Sequence, residues 1–174
     1  MPGVWDEFEA AVLAALGQNL TASGPRPLLG RFVRMFGTPV GTPILGLTHL
    51  FPTAEILAHP DLSKAGVGDA SARAIRKISS IPSRKQLKLA TAETLEQTIS
   101  RVQMFCGVDQ STANYIAMRA FGEPDAFPSQ DRGLRRRLSE SGRIVSAAQA
   151  LATAGQWRPW RAYAAMHLAQ RGRN

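Results

Sequence analysis

A glycine-containing turn between two helical segments is the first feature of the sequence that could do chemistry. The turn reads Cys106-Gly107-Val108-Asp109, with helical patterns over residues 92–105 before it and 110–121 after it. A turn that leads into a helix N terminus exposes backbone N–H groups at the positive end of the helix dipole, where phosphate binds. Gly107, Asp109 and Thr112 are therefore candidates for nucleic-acid backbone contacts. The alternative is an ordinary αα-hairpin, which also uses glycine in its turn.

The positive charge of the chain is concentrated near its C-terminal end. The formal net charge is +8, and residues 131–174 hold nine arginines against two acidic residues. A basic surface at one end of a nearly neutral domain suggests a polyanionic partner, with nucleic acid first; the alternative is a set of arginines on solvated helix faces. The candidates for phosphate contacts are Arg132, Arg135 and Arg136. Arg137 directly follows Arg136, so these two side chains cannot face the same side of a helix.

These residues must be positioned by helices, because helical patterns run through nearly the whole chain. Segments 4–16, 53–59, 92–105 and 110–121 are predicted to be helical, as are 131–138, 146–154 and 158–171. Residues 61–78 predict a short helix, a turn at Gly66-Val67-Gly68 and a further helix. Another helix should end at Phe36, before Gly37. Residues 37–52, with three prolines and three glycines, predict a loop, and residues 80–91 a linker. The predicted helix caps are Thr53, Thr91 and Asp131.

No segment shows the alternation of a β-strand, so the predicted fold class is all-α. We expect a compact bundle of about eight short helices containing a helix–hairpin–helix motif. Residues 1–174 should form a single domain. The alternative prediction is a domain of two helical lobes with a cleft between them.

Several classes of protein are excluded by residue counts. Cys106 is the only cysteine, which rules out internal disulfides and a cysteine-rich metal site. The three histidines have no ligand spacing, so we expect no metal and no cofactor. Cys106 itself could react only if its thiol pKa were lowered by the helix N terminus that follows. No apolar run suits a membrane span and no signal peptide is evident, so we expect a cytoplasmic, nucleoid-associated protein without a membrane partner. No nucleotide-cofactor motif occurs.

Motifs in a fixed order give the chain a family resemblance. They are Leu16-Gly17-Gln18, Gly107-Val108, the segment Thr112–Arg119, Asp125-Ala126-Phe127-Pro128 with Asp131, and the run Trp157–Ala164. In this order the chain resembles the helix–hairpin–helix DNA glycosylase superfamily, and within it the alkylation-repair branch of 3-methyladenine DNA glycosylases. The resemblance covers most of residues 4–170.

The resemblance implies a catalytic role for Asp131. This carboxylate would stabilise the cationic sugar that develops as an N-glycosidic bond breaks, or orient a water for attack on C1′. The alternative is a plain helix N-cap with Arg135 four residues on, and the two roles are compatible.

Other functions follow from the same resemblance. Tyr115 and Trp160 match an aromatic pocket that would attract a cationic alkylated purine; the alternative is that both rings are core residues. Ser111 stands where lyase-active relatives carry lysine, and a serine cannot form a Schiff base. Asn19, beside Gln18, matches the wedge that fills the gap left by an extracted nucleotide, with a helix C-cap as its alternative.

The hairpin departs from the family pattern of glycine–apolar–glycine. Asp109 replaces the second glycine, where a carboxylate would repel phosphate and a side chain restricts φ. Asp109 could instead cap the following helix. Cys106 replaces the usual proline. We expect the protein to lack the extra N-terminal β domain of the family.

Together these features predict a monofunctional DNA glycosylase that acts as a monomer on double-stranded DNA in base excision repair, with an alkylated purine as the lesion. Two alternatives remain. One is a weak or inactive DNA-binding module of the same fold, and the other is a helical scaffold for protein interactions.

Overall fold

A computed structural model describes residues 4–17, 25–81, 94–139 and 143–170, and this part of the chain is mainly helical. Its α-helices are α1 (Glu7–Gly17), α2 (Pro25–Phe36), α3 (Ala54–Leu57), α4 (Asp69–Ser79), α5 (Leu95–Cys106), α6 (Gln110–Ala120), α7 (Arg132–Arg137), α8 (Ala147–Ala154) and α9 (Arg161–Gln170). Short 3-10 helices span Leu62–Ala65 and Gly155–Trp157. The all-α fold class is confirmed.

The expected absence of strands is wrong in one place. Two-residue strands β1 (Thr38–Pro39) and β2 (His49–Leu50) pair antiparallel inside the segment predicted to be a loop. A ladder of two residues is too short for side-chain alternation to show in a sequence.

Two predicted helix starts also differ from the structure. Helix α5 is capped by Thr94, whose hydroxyl accepts a hydrogen bond from Gln97 N while the Gln97 side chain accepts one from Thr94 N. The predicted cap, Thr91, lies outside the described residues. Helix α9 starts at Arg161 rather than 158, because the residue before Pro159 is extended, as proline requires of its predecessor.

Within the described segments, the buried apolar side chains form two clusters that meet along α6. The first cluster draws on α1, α2, α4 and α5 and includes Phe32, Ile75 and Ile116. The second lies around α7, α8 and α9 and includes Phe127 and Leu134. Helix α6 contributes Ala113 and Ile116 to the first cluster and Ala117 and Met118 to the second. Its position therefore relates the hairpin at its N terminus to the loop and helix that carry Asp131.

Alanines allow α1 to pack closely on α4 and α6. Ala11 and Ala15 of α1 are fully buried, as are Ala74 of α4 and Ala113 of α6. Small side chains at a helix contact reduce the distance between helix axes. Within the described residues, no helix combines the length and apolar character that crossing a membrane requires.

Candidate active site

The helix–hairpin–helix motif is formed by α5, a three-residue turn and α6. Gly107 ends α5 in the left-handed conformation, with φ of 64°, and its N–H donates to Gln103 O at 2.9 Å. A residue with a side chain is strained at this φ, so glycine is required here. Val108 is buried and anchors the turn in the first apolar cluster. The turn therefore presents the first backbone N–H groups of α6 at a fixed position.

Asp109 caps α6, as the cap alternative predicted. Its Oδ1 accepts a hydrogen bond from Thr112 N at 2.8 Å, and its backbone is extended with φ of −72°. A side chain is therefore tolerated at this position without backbone strain. Because the Thr112 N–H is already bonded to the carboxylate and the Thr112 side chain is buried, the free donors of this helix end are those of Gln110 and Ser111.

Asp131 lies on the surface at the N terminus of α7. Its Oδ1 accepts the N–H of Leu134 at 2.7 Å, and its own N–H donates to Pro128 O at 2.9 Å. The side chain is exposed and Leu134 is buried beneath the helix. The cap role of Asp131 is confirmed, and the carboxylate is open to solvent. Its Oδ2 has no hydrogen-bond partner within the described part of the chain.

Asn114 fixes the loop that leads to Asp131. Its Nδ2 donates to Gln110 O at 2.9 Å, and its Oδ1 accepts the N–H of Phe127 at 3.1 Å in a buried position. The loop is thereby tied to the middle of α6. This role of Asn114 was not predicted from the sequence. The available signal was an asparagine inside a helix, where it is unfavourable unless its side chain makes hydrogen bonds.

Asp125 fixes the other part of the same loop to the start of α9. It accepts two hydrogen bonds from Arg161, at 2.7 and 2.9 Å, and one from Arg158 at 2.9 Å. Burial raises the pKa of Asp125, but the hydrogen bonds and charges of Arg161 and Arg158 outweigh it and leave the pKa below its ordinary value. Ala162 N donates to Pro124 O at 2.9 Å beside this pair. Two anchors therefore hold the segment before Asp131 in place.

The predicted pocket residues lie on α6 and directly before α9. Ser111 and Tyr115 are four residues apart on α6 and so share one face of it. Tyr115 and Trp160 retain 39% and 58% of their exposure, so neither is a core residue. The Trp160 ring contacts Tyr163, with centroids 5.7 Å apart. Among the described residues no ring pair joins Tyr115 to Trp160, and their joint role in a pocket stays a prediction.

The arginines of the basic C-terminal part differ in their availability. Arg132, Arg136 and Arg137 are exposed on α7. The Arg135 Nε donates to Val145 O at 2.6 Å, so this residue supports the chain before α8. Arg161 is buried against Asp125. The charge count of the sequence therefore overstates the positive charge that is free for a partner.

Two further predictions concern the reactivity of Cys106 and the proposed wedge. Burial raises the pKa of the Cys106 thiol to about 11, despite an opposing effect of the Lys77 charge, so the idea of an activated cysteine is wrong. The proposed wedge residues, Gln18 and Asn19, lie outside the described residues, and their role stays a prediction.

The chain is similar in sequence to curated DNA repair proteins. It is 35% identical over 168 residues to a Mycobacterium tuberculosis protein named "Probable bifunctional transcriptional activator/DNA repair enzyme AlkA", covering 97% of this chain and 34% of that protein. It is 29% identical over 171 residues to DNA-3-methyladenine glycosylase 2 of Escherichia coli, covering 97% of this chain and 58% of that protein. The chain thus spans between a third and three fifths of these relatives. No protein-family model matches it.

Solved structures share the fold. The 3-methyladenine DNA glycosylase of Archaeoglobus fulgidus superposes with a TM-score of 0.76 at 24% identity, over 94% of this chain and 57% of that one. A 3-methyladenine DNA glycosylase of Schizosaccharomyces pombe, in complex with abasic DNA, gives a TM-score of 0.72 at 19% identity, over 94% and 79% of the two chains. At these identities the likeness establishes the fold alone.

Proposed function

We propose that the chain belongs to the helix–hairpin–helix DNA glycosylase superfamily and that it removes a damaged base from double-stranded DNA by hydrolysing the N-glycosidic bond. The lesion proposed is an alkylated purine, in line with the names of the relatives at 27–29% identity, which are 3-methyladenine glycosylases. The protein would act as a monomer on nucleoid DNA, without a metal or a nucleotide cofactor.

The observation that carries this proposal is the exposed carboxylate of Asp131 on a rigid support. The loop before it is tied to α6 through Asn114 and to α9 through Asp125, and exposed arginines of α7 follow it. A charged group that is held in place before the reaction stabilises the transition state, and no free energy is spent on reorienting that group during the reaction. A helix cap by itself does not require the preceding loop to be held by two tertiary contacts, whereas a catalytic carboxylate must be held in position.

Hydrolysis requires the bond from C1′ to the base nitrogen to break. Its electron pair leaves with the base and neutralises the positive charge that alkylation placed there, so the base departs without a strong general acid. Positive charge develops on the sugar, where the Asp131 carboxylate stabilises it and orients a water. The water oxygen bonds to C1′ and loses a proton, which leaves an abasic site.

Two further features support details of the proposal. Ser111 offers no amine for a Schiff base with the sugar, so the product is an abasic site without strand cleavage by the enzyme. The exposed ring of Tyr115 shares a face of α6 with Ser111, and an electron-rich ring attracts a cationic base by about 0.5–2 kcal/mol. Trp160 would supply a second ring once DNA is bound.

The test is release of base from DNA. Duplex DNA methylated with dimethyl sulfate and the same duplex without treatment are incubated with the protein, and free bases and alkali-labile abasic sites are measured. We expect methylated purines and abasic sites from the treated duplex alone. Binding to both duplexes without any release would favour the inactive DNA-binding module. The absence of salt-dependent DNA binding would favour the protein-interaction scaffold.

A further inference from the structure

The hairpin that should approach a DNA phosphate carries a negative charge of its own. The Asp109 carboxylate lies at the N terminus of α6 and bonds to Thr112 N. A phosphate that approaches the N–H groups of Gln110 and Ser111 therefore also meets a like charge. A positive charge from outside the motif would favour the approach of a phosphate to this hairpin.

Lys77 supplies such a charge from α4, 30 positions earlier in the sequence. Its side chain lies over the hairpin glycine: a Cβ placed on Gly107 would come within 2.9 Å of the Lys77 Cδ and 3.0 Å of its Nζ. The missing side chain of Gly107 thus makes the space that the lysine stem occupies. Gly107 serves both the left-handed turn and this contact.

The Lys77 side chain is close enough to the turn for its charge to act there, and it is also exposed to solvent. It opposes the effect of burial on the pKa of the adjacent Cys106 thiol. Lys77 is exposed, as are Arg73 and Arg76 on the same helix, so the ammonium group lies at a surface that a strand can reach. In the sequence, the near-neutral charge of the first 130 residues conceals this local basic face.

We propose that Lys77 contacts the DNA phosphate at the hairpin, together with the N terminus of α6, and offsets the charge of Asp109 there. This inference rests on the proposed function, since it requires the hairpin to lie against duplex DNA. Lys77 is a binding residue in this account and has no part in breaking the glycosidic bond.

The test is the salt dependence of binding to a fluorescein-labelled duplex of about 20 base pairs that contains a tetrahydrofuran abasic analogue. One lost phosphate contact lowers the slope of log K against log salt by about 0.9, which is about an eightfold loss of affinity at 0.1 M salt. We expect this change for Lys77→Gln and wild-type behaviour within twofold for Lys77→Arg. Lys64→Gln is the matched control, because Lys64 is an exposed lysine on the 3-10 helix that packs against α2.

A second pair of variants separates a phosphate contact from simple neutralisation of Asp109. If Lys77 only offset that carboxylate, Lys77→Gln would have no effect on binding in an Asp109→Asn background. We expect the slope to fall in both backgrounds.

Each negative result has a distinct meaning. An unchanged slope in Lys77→Gln, with salt-dependent binding by the wild type, overturns the role of Lys77 and leaves the proposed function standing. Loss of the Lys77→Gln effect in the Asp109→Asn background overturns the phosphate contact alone. A wild-type protein that shows no salt-dependent binding overturns both proposals. Thermal unfolding of every variant checks that the fold is retained.

Discussion

Replacing Asp131 with asparagine separates the two roles of this residue. The carboxylate caps α7 through a 2.7 Å hydrogen bond from Leu134 N. An asparagine amide oxygen can accept the same bond, and asparagine and aspartate are equally good caps, so the free energy of unfolding should change by less than about 0.5 kcal/mol. The negative charge, however, is lost completely. A change in activity without a change in stability therefore reports on the charge.

The expected loss of activity follows from the electrostatic role. Removing one preorganised group that stabilises developing charge lowers the rate by at least about 100-fold, which corresponds to about 2.7 kcal/mol in the activation free energy. Asp131→Ala should lose the same activity and, in addition, about 1 kcal/mol of stability, because alanine cannot cap the helix. The two variants should therefore match in rate and differ in unfolding.

The assay is single-turnover release of methylated purines, with urea unfolding of the same samples. Asp61→Asn is the matched control: Asp61 is also an exposed cap, accepting Ser63 N at 3.1 Å, but it caps the 3-10 helix Leu62–Ala65. It should retain wild-type activity. Equal activity of Asp131→Asn and the wild type would refute the catalytic role. Loss of activity in Asp131→Ala but not in Asp131→Asn would mean that only the cap matters.

Three further predictions test the supports of the site. Asn114→Ala leaves the buried N–H of Phe127 without its partner, so urea unfolding should show a loss of about 1–3 kcal/mol. Asp109→Asn keeps the cap of α6 and removes a charge that faces phosphate, so affinity for the labelled abasic duplex should rise about threefold at low salt. The pKa of Asp125 is lowered by its arginine partners, so its contribution to stability is complete above the unfolded-state pKa of about 3.9 and is lost as the pH falls through the lower folded-state value. Between pH 5 and 2 the Tm of the wild type should fall more steeply than that of Asp125→Asn; parallel curves would contradict the pairing.

Local features of the site could be predicted because they depend on residues close together in the chain. The caps at Thr53, Asp109 and Asp131 each bond to a backbone N–H three residues later. The sequence predicts Thr91 as the cap of α5, although Thr94 and Gln97, which cap it in the structure, have the local spacing of a capping box. The prediction of Thr91 is wrong because two threonines three residues apart are both suitable caps for the same helix.

The contacts that support the site could not be predicted, because they join distant segments. Asp125 and Arg161 are 36 positions apart, and Asn114 and Phe127 are 13 apart. The charge count of the sequence places Arg161 in a basic surface, whereas the structure buries it beside the Asp125 carboxylate. Charge counting has no means of separating paired arginines from free ones.

The sequence by itself determined the helical fold class, the hairpin at Gly107 and the order of the motifs, since helix periodicity, capping and turn chemistry act over three or four residues. Only the tertiary structure decided which charges are free, what holds the loop before Asp131, and that Lys77 lies over the hairpin. Those outcomes depend on how α4, α6 and α9 pack. The packing is set by the sum of many buried contacts, which no short segment of the chain specifies alone.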